Sequence, residues 1–226
     1  MVRKLNMIVK RFFDIFISLI CLVAALPFLL IAIIGIKLFM PGPIFFKQSR
    51  VGIHKSIIKV YKLRTMKVDR EAELSHDTSK DEERKTKWGN LLRRLKIDEI
   101  PQIVNVFIGN MSLVGPRPTI MEQADLYTEK ELHRLDVRPG MTGLAQVNGN
   151  SKLIWEDRIE YDLEYVEKLS VWLDFKILVK TVLVVIFGEE KFYHPLGNET
   201  TNRFEEAYKN NEYSRYRSSC VNQNSN

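Results

Sequence analysis

Cysteine, zinc-site spacing and internal repetition are scarce or missing in this chain. Only Cys21, in an apolar run, and Cys220, in a polar tail, occur among its 226 residues. That placement excludes a disulfide framework and a paired Cys-x-x-Cys metal site, and a reducing, cytosol-facing setting is the default. His-Glu-x-x-His and Gly-x-Ser-x-Gly are absent, and His54, His76, His133 and His194 are scattered. No zincin or serine-hydrolase motif can therefore be written. Nothing repeats, which removes solenoids and propellers. Acid is missing from one long stretch: between Asp14 and Asp69 there is no Asp or Glu.

What that stretch holds is apolar length followed by base. Residues 15–36 are uncharged, about the 20 residues that a membrane-spanning helix needs. Arg3, Lys4, Lys10, Arg11 and Asp14 precede them; Lys37, Lys47, Arg50, Lys55, Lys59, Lys62, Arg64 and Lys67 follow. Segments rich in Lys and Arg stay on the cytoplasmic side, so both ends are expected there. Pro27, near the middle, would break or bend a helix. A re-entrant helix broken at Pro27, entering and leaving through one leaflet, meets both observations. A straight span meets only the length, and a buried core helix fits neither. A signal peptide is unsupported, because no small-residue cleavage site leads into a polar start.

After Pro41-Gly42-Pro43, residues 44–51 and 57–66 read as two strands joined by a turn at Gly52-Ile53-His54-Lys55. Their lysines and arginines suit anionic headgroups, at about 1 kcal/mol per charge, or a solvated face. Residues 66–87 are densely charged with mixed sign, as in an exposed helix or mobile loop. Helices are expected over 88–95, over 122–134 as an amphipathic element, around Trp155, Ile159, Leu163 and Val166, and over 171–187 with Ser170 as cap. The last is very apolar, either a core helix or a half-sunk interfacial one using Trp172. From Gly188 onward the chain is polar, and residues 210–226 read as disordered.

The chemistry gathers at Lys96-Ile97-Asp98-Glu99-Ile100-Pro101-Gln102, just after Leu91-Leu92-Arg93-Arg94. Asp98 reads as an N-cap, with Pro101 tolerated in the first turn of the helix that follows. Taken alone, the pair is a cap and a complement to the helix dipole. Two loops downstream add to it. In Gly115-Pro116-Arg117-Pro118 one arginine sits between two prolines, on a stiff backbone suited to bidentate phosphate recognition, or in a plain turn. Arg138-Pro139-Gly140 through Val147-Asn148-Gly149 is Gly-punctuated, running into a short strand, but fits neither a Walker A loop nor a dinucleotide fingerprint. Carboxylates and arginines beside a membrane suit phosphoryl transfer on a lipid. A carboxylate can attack phosphorus once Mg²⁺ and fixed arginines reduce the repulsion between anions.

These residues resemble the bacterial sugar transferase family, the small monotopic polyprenyl-phosphate phosphoglycosyl transferases. The resemblance runs from about Lys10 to about Phe187. It rests on Lys10-Arg11-Phe12-Phe13-Asp14, the Pro27 position, Tyr61-Lys62-Leu63-Arg64-Thr65-Met66 and Thr86-Lys87-Trp88-Gly89 through Leu92-Arg93. It continues with Asp98-Glu99-Ile100-Pro101-Gln102, Asn105-Val106, Met111 through Pro118, Arg138 through Gly149, and then Asp162 and Tyr165. It implies that Asp98 attacks the β-phosphorus of a UDP-sugar, releases UMP and holds the sugar phosphate covalently. A polyprenyl phosphate, such as undecaprenyl phosphate, then takes the phosphosugar. It further implies Glu99 as Mg²⁺ ligand, Arg93 at the lipid phosphate and Arg117 at the nucleotide sugar. Lys62, Pro116, Pro118 and Arg138 are carried with the substrate motifs, and Lys10, Arg11, Asp14 and Pro27 with the membrane segment. The chain departs from the family at Asn110, where Asp is frequent, and at Asn150, where Arg is frequent; the second removes a candidate donor contact.

The expected fold is α+β. A re-entrant helix over 1–40 precedes a compact, mostly helical catalytic domain over 41–190, with a small hairpin and interfacial amphipathic helices; a flexible tail over 191–226 follows. The implied setting is the cytoplasmic face of a bacterial inner membrane, with downstream glycosyltransferases as further partners. A catalytically silent nucleotide-sugar-binding module is the alternative. Nucleic acid, raised by the net charge of +6, is disfavoured because the basic residues lie beside the apolar run and not among stacking aromatics.

Overall fold

The computed structural model describes residues 2–68 and 81–197, with the side chains of residues 2–4 and 81–82 left aside. His76, Cys220 and the proposed disordered stretch over 210–226 lie outside the described residues, as does most of the mixed-charge segment. Among the described residues the chain is mostly helical with two small sheets, and it sorts into two units that interleave in sequence. One gathers Met1–Arg11, Arg50–Ile58 and the chain from Ser112 onward; the other gathers Phe12–Ser49 and Lys59–Met111.

Helix α1 runs from Val2 to Phe39, 38 residues with Pro27 inside it. Its length is about 57 Å, well beyond a hydrocarbon core of about 30 Å. The expected break is not seen: helical structure continues through Pro27, which is exposed, so the residue costs one backbone hydrogen bond without ending the element. Only one stripe of α1 is buried, from Lys10 and Asp14 through Ser18 and Ala25 to Ala32, Ile36 and Met40. The rest shows Ile8, Phe12, Phe16, Leu19, Val23, Phe28 and Ile34 to the surroundings. Of its most apolar window only 17% is buried, which is far too little for the core helix of a soluble domain.

In the second unit the lower part of α1 meets a short helix, α3. Strands β1 (Phe45–Val51) and β2 (Ile57–Leu63) pair in the hairpin that the alternation predicts, with a 3-10 turn over Ile53–Lys55 at its tip. After the small helix α2 (Asp81–Arg84), α3 covers Lys87–Arg94, capped by the Thr86 hydroxyl, which accepts from the Gly89 amide at 3.0 Å. Trp88 fills the notch left by Gly35: a Cβ there would lie 2.1 Å from the indole. Leu92 packs with Ala32, Ile36, Met40 and Leu63 in one cluster. Gly89 is equally constrained, since a Cβ would stand 1.8 Å from the Thr65 carbonyl oxygen. Small residues thus let α1, β2 and α3 approach closely. Helix α4 (Gln102–Ile108) follows and ends at Gly109 with φ of 95°.

The first unit is built on two short parallel strands, β3 (Ser112–Val114) and β4 (Gly140–Thr142), in register Ser112 to Gly140 and Val114 to Thr142. The region of β3 reads as loop in sequence because three residues show no alternation. The single helix expected over 122–134 is instead α5 (Met121–Ala124), α6 (Glu129–Leu132) and a 3-10 turn over His133–Leu135. Thr128 and Glu131 form a capping box that restarts the chain at α6, a signature that outweighs the amphipathic period. After α7 (Leu144–Val147), helices α8 (Trp155–Glu167) and α9 (Val171–Phe187) follow as expected, the latter capped by Ser170. Val51, Ala124, Tyr127, Leu135 and Ile159 form the unit's main apolar cluster.

Candidate active site

In the second unit the structure brings together Lys62, Arg93, Asp98 and Glu99. Lys62 points off β2 and donates to Glu99 Oε1 at 2.9 Å. Three residues along, Thr65 accepts at its hydroxyl from Arg93 Nε at 2.8 Å, which orients the guanidinium. Asn105, 0% exposed, locks this arrangement. Its Oδ1 accepts from the Tyr61 amide at 3.0 Å and its Nδ2 donates to the Lys59 carbonyl at 2.7 Å, so α4 is stitched to the edge of β2. Neither Thr65 nor Asn105 has a role legible in sequence beyond membership of a motif.

Asp98 is not a cap. Lys96 takes a left-handed conformation at φ 57°, and residues 97–99 form a 3-10 turn. Backbone carbonyls three residues earlier take up the amides of Glu99, Ile100, Ile103 and Val104. A cap at Asp98 would accept from the second or third helical amide. Ile100's amide is already bonded to the Ile97 carbonyl, and Pro101 has none. The carboxyl is therefore buried without capping α4. Burial pushes its pKa up, Glu99 pushes it further, and Lys62 and Arg93 pull it back.

That balance sets a pH dependence. A nucleophilic role for Asp98 would need the ionised carboxylate, so activity resting on it would be full above the raised pKa and fall as pH drops through it. Lys62→Met removes one of the two charges that lower this pKa. The acid limb of the rate profile should then move to higher pH, read from initial rates; an unmoved limb would show that Lys62 does not act on Asp98.

No group of three or more His, Cys, Asp or Glu that could hold a metal ion occurs among the described residues. Mg²⁺ asks for less, because it is commonly held by one or two carboxylates together with substrate phosphates. Glu99, half-buried beside Asp98 and accepting from Lys62, fits that demand as one such carboxylate.

In the first unit Pro116 is buried, Pro118 half-buried and Arg117 exposed, while Arg138 is half-buried. The loop's backbone is pinned along its length. The Gly115 amide donates to the Thr142 carbonyl and the Gly140 amide to the Pro116 carbonyl, both at 2.9 Å, and the Val51 amide reaches the Thr119 carbonyl at 2.8 Å. Gly140 permits this, since a Cβ would lie 2.1 Å from the Gly115 nitrogen. Val51, Gly52, Pro116 to Thr119, Arg134 and Val137 line a small cleft. Asn150, at φ 50°, donates to Glu189 Oε1 at 2.9 Å. Lys10, expected at lipid headgroups, is buried here and donates to Asp174 Oδ2 at 2.6 Å and to the Val114 carbonyl at 2.8 Å. Asp14 is buried and Arg11 half-buried.

The profile of the family described as bacterial sugar transferase matches residues 5–188. The chain belongs to the bacterial sugar transferase family. This sugar transferase is 44% identical over 183 residues to the uncharacterized sugar transferase EpsL of Bacillus subtilis (strain 168), covering 81% of this chain and 90% of the relative. It is 43% identical over 191 residues to the exopolysaccharide production protein PSS of Rhizobium leguminosarum bv. phaseoli, covering 79% and 96%. It is 40% identical over 185 residues to the UDP-glucose:undecaprenyl-phosphate glucose-1-phosphate transferase of Escherichia coli (strain K12), covering 78% of this chain. The sugar transferase spans only 40% of that relative's length. All the motif residues of both units fall within the matched span.

Proposed function

We propose that this sugar transferase moves a sugar 1-phosphate from a UDP-sugar to undecaprenyl phosphate and so starts assembly of a bacterial surface glycan. The observation that carries the reading is the buried Asp98 beside Glu99, with Lys62 and Arg93 supplying the opposing charge. The E. coli relative's name describes the same transfer for glucose.

In the first step an Asp98 carboxylate oxygen bonds to the β-phosphorus, the bond from that phosphorus to the bridging oxygen breaks, and UMP leaves. In the second, a phosphate oxygen of the acceptor attacks the same phosphorus and the Asp98–phosphorus bond breaks, giving a polyprenyl diphosphate sugar with Asp98 restored. Lys62 and Arg93 favour the ionised form of Asp98 against burial and Glu99 and offset anionic charge as it approaches. Arg93, oriented by Thr65, is the group for the lipid phosphate; Arg117 and Arg138 serve the donor. Mg²⁺, when bound at Glu99 and the donor phosphates, would neutralise charge on the diphosphate. The test is UMP release from UDP-glucose and UDP-N-acetylhexosamines with undecaprenyl phosphate and Mg²⁺. No release from any donor would overturn the reading.

The membrane reading is part of the same proposal. Exposed apolar residues along α1 support insertion in the membrane, and the Lys and Arg flanking both ends favour the cytoplasmic side for both flanks, an arrangement that asks α1 to bend at Pro27 without losing its helical structure. Residues Trp172, Phe175, Val182 and Ile186 are exposed on α9, with Lys176 over the Trp172 ring, which supports an in-plane position at the headgroups. Tags placed at both termini should be reached only from the cytoplasm. A periplasmic N-terminus would make α1 a full span.

A further inference from the structure

We propose that Arg134 is a positioning residue for donor binding: its buried guanidinium holds the carbonyl of Arg117 and thereby aims the Arg117 side chain. The proposal rests on the reading of Arg117 as a donor contact. Arg117 lies between two prolines, which fix their own φ and bring no N–H. Sheet bonding stops at the Pro116 carbonyl and resumes at the Thr119 carbonyl. Between these anchors the carbonyl of Arg117 accepts from Arg134 Nη2 at 3.1 Å.

The arrangement around Arg134 is not the one that best serves an ion pair. The side chains of Arg134 and Asp162 are 5% and 2% exposed. An arginine paired for its own sake meets a carboxylate with two parallel bonds to two oxygens. Here Nε, at 3.1 Å, and Nη2 both go to Asp162 Oδ2. Oδ1 is left buried without a hydrogen-bond partner among the described residues. Nη1 reaches the Tyr127 hydroxyl. The fork is turned so that Nη2 also meets the Arg117 carbonyl. A lysine, a single point of charge, cannot present this planar set of donors. Buried ion pairs are commonly replaceable by apolar residues without loss of stability, so fold alone does not call for this one.

The experiment uses the full chain in nanodiscs, with UDP binding and UMP release as readouts. Arg134→Met combined with Asp162→Leu removes both charges and spares the carboxylate an unpaired burial; Arg134→Lys keeps the charge pair but not the planar fork. The expected result is melting near wild type in at least one of them. In that variant UDP binding weakens and the KM for UDP-glucose or a UDP-N-acetylhexosamine rises about tenfold, with kcat nearly kept. Arg117→Ala should weaken UDP binding comparably and, in the double-variant background, add little. Unchanged UDP affinity in a stably folded variant, while Arg117→Ala loses it, overturns the positioning role alone. A wild type that binds no UDP and releases no UMP overturns the functional reading and the positioning role with it.

Discussion

Asp98→Asn is expected to abolish UMP release while leaving the protein at least as stable as wild type. The two halves of the expectation come from one fact, the burial of a carboxyl beside a second carboxyl. Asparagine has nearly the same shape, but its amide oxygen is a poor nucleophile toward phosphorus, so the rate should fall by about 10³-fold or more. For stability the sign runs the other way. A carboxyl whose folded pKa lies above its unfolded value contributes stability below the unfolded pKa and loses it as pH rises through the folded one. At neutral pH, above its unfolded value, the raised pKa of Asp98 is therefore a net cost to the fold, and the amide removes it. In metal-free buffer near pH 7 the melting temperature of Asp98→Asn should equal or exceed that of wild type. Lower stability, or UMP release close to wild type, would count against a strained nucleophile at this position. Glu99→Gln makes a useful contrast. It leaves Asp98 in place but removes both the partner of Lys62 and the candidate metal ligand, so its loss of rate should depend on Mg²⁺ concentration.

The outcome for Asp98 also shows where sequence was legible and where it was not. Two adjacent carboxylates after a basic run are visible as chemistry, and their clustering with Arg93 is local. The sequence itself argues against a cap at Asp98, because Pro101 leaves such a cap short of an amide. The approach of Lys62, 37 residues away, depends on how Asn105 stitches α4 to β2, and no periodicity reports that. The hairpin, α3, α8 and α9 were readable because each is long enough to show its period or carries a cap. Strand β3 is too short for alternation. The stretch 122–134 has an amphipathic period that the capping box at Thr128 overrides. Arg134 was hidden for a related reason: a charge on an amphipathic stretch is usually solvated, and only the fold turns this one inward. Pro27 suggests a break in sequence, yet helical structure continues through it, because one lost backbone bond is small beside the many that α1 keeps.

Lys10 carries the second large expectation. Basic residues flanking an apolar segment are ordinarily assigned to headgroups, and in sequence nothing links Lys10 to a partner 164 residues away. In the structure its ammonium meets Asp174, with side-chain exposures of 10% and 11%. The Tyr165 hydroxyl donates toward Asp174 Oδ1 at 2.7 Å and lies 3.1 Å from the Val114 carbonyl oxygen, which Lys10 also bonds. The first turns of α1 are thus tied to α9 and to the end of β3, where the Gly115-Pro116-Arg117-Pro118 loop begins. Lys10→Met would remove a buried counter-charge from Asp174, at about 3–4 kcal/mol, or roughly 10 °C in melting temperature. Adding Asp174→Asn should return much of that loss, because the buried charge that Lys10 met is gone while an acceptor for Tyr165 remains. A lipid-facing Lys10 predicts the opposite pattern: vesicle association falls, melting temperature stays, and Asp174→Asn restores nothing. Measuring thermal unfolding and vesicle binding for the two single variants and the double decides between a headgroup contact and a buried tie.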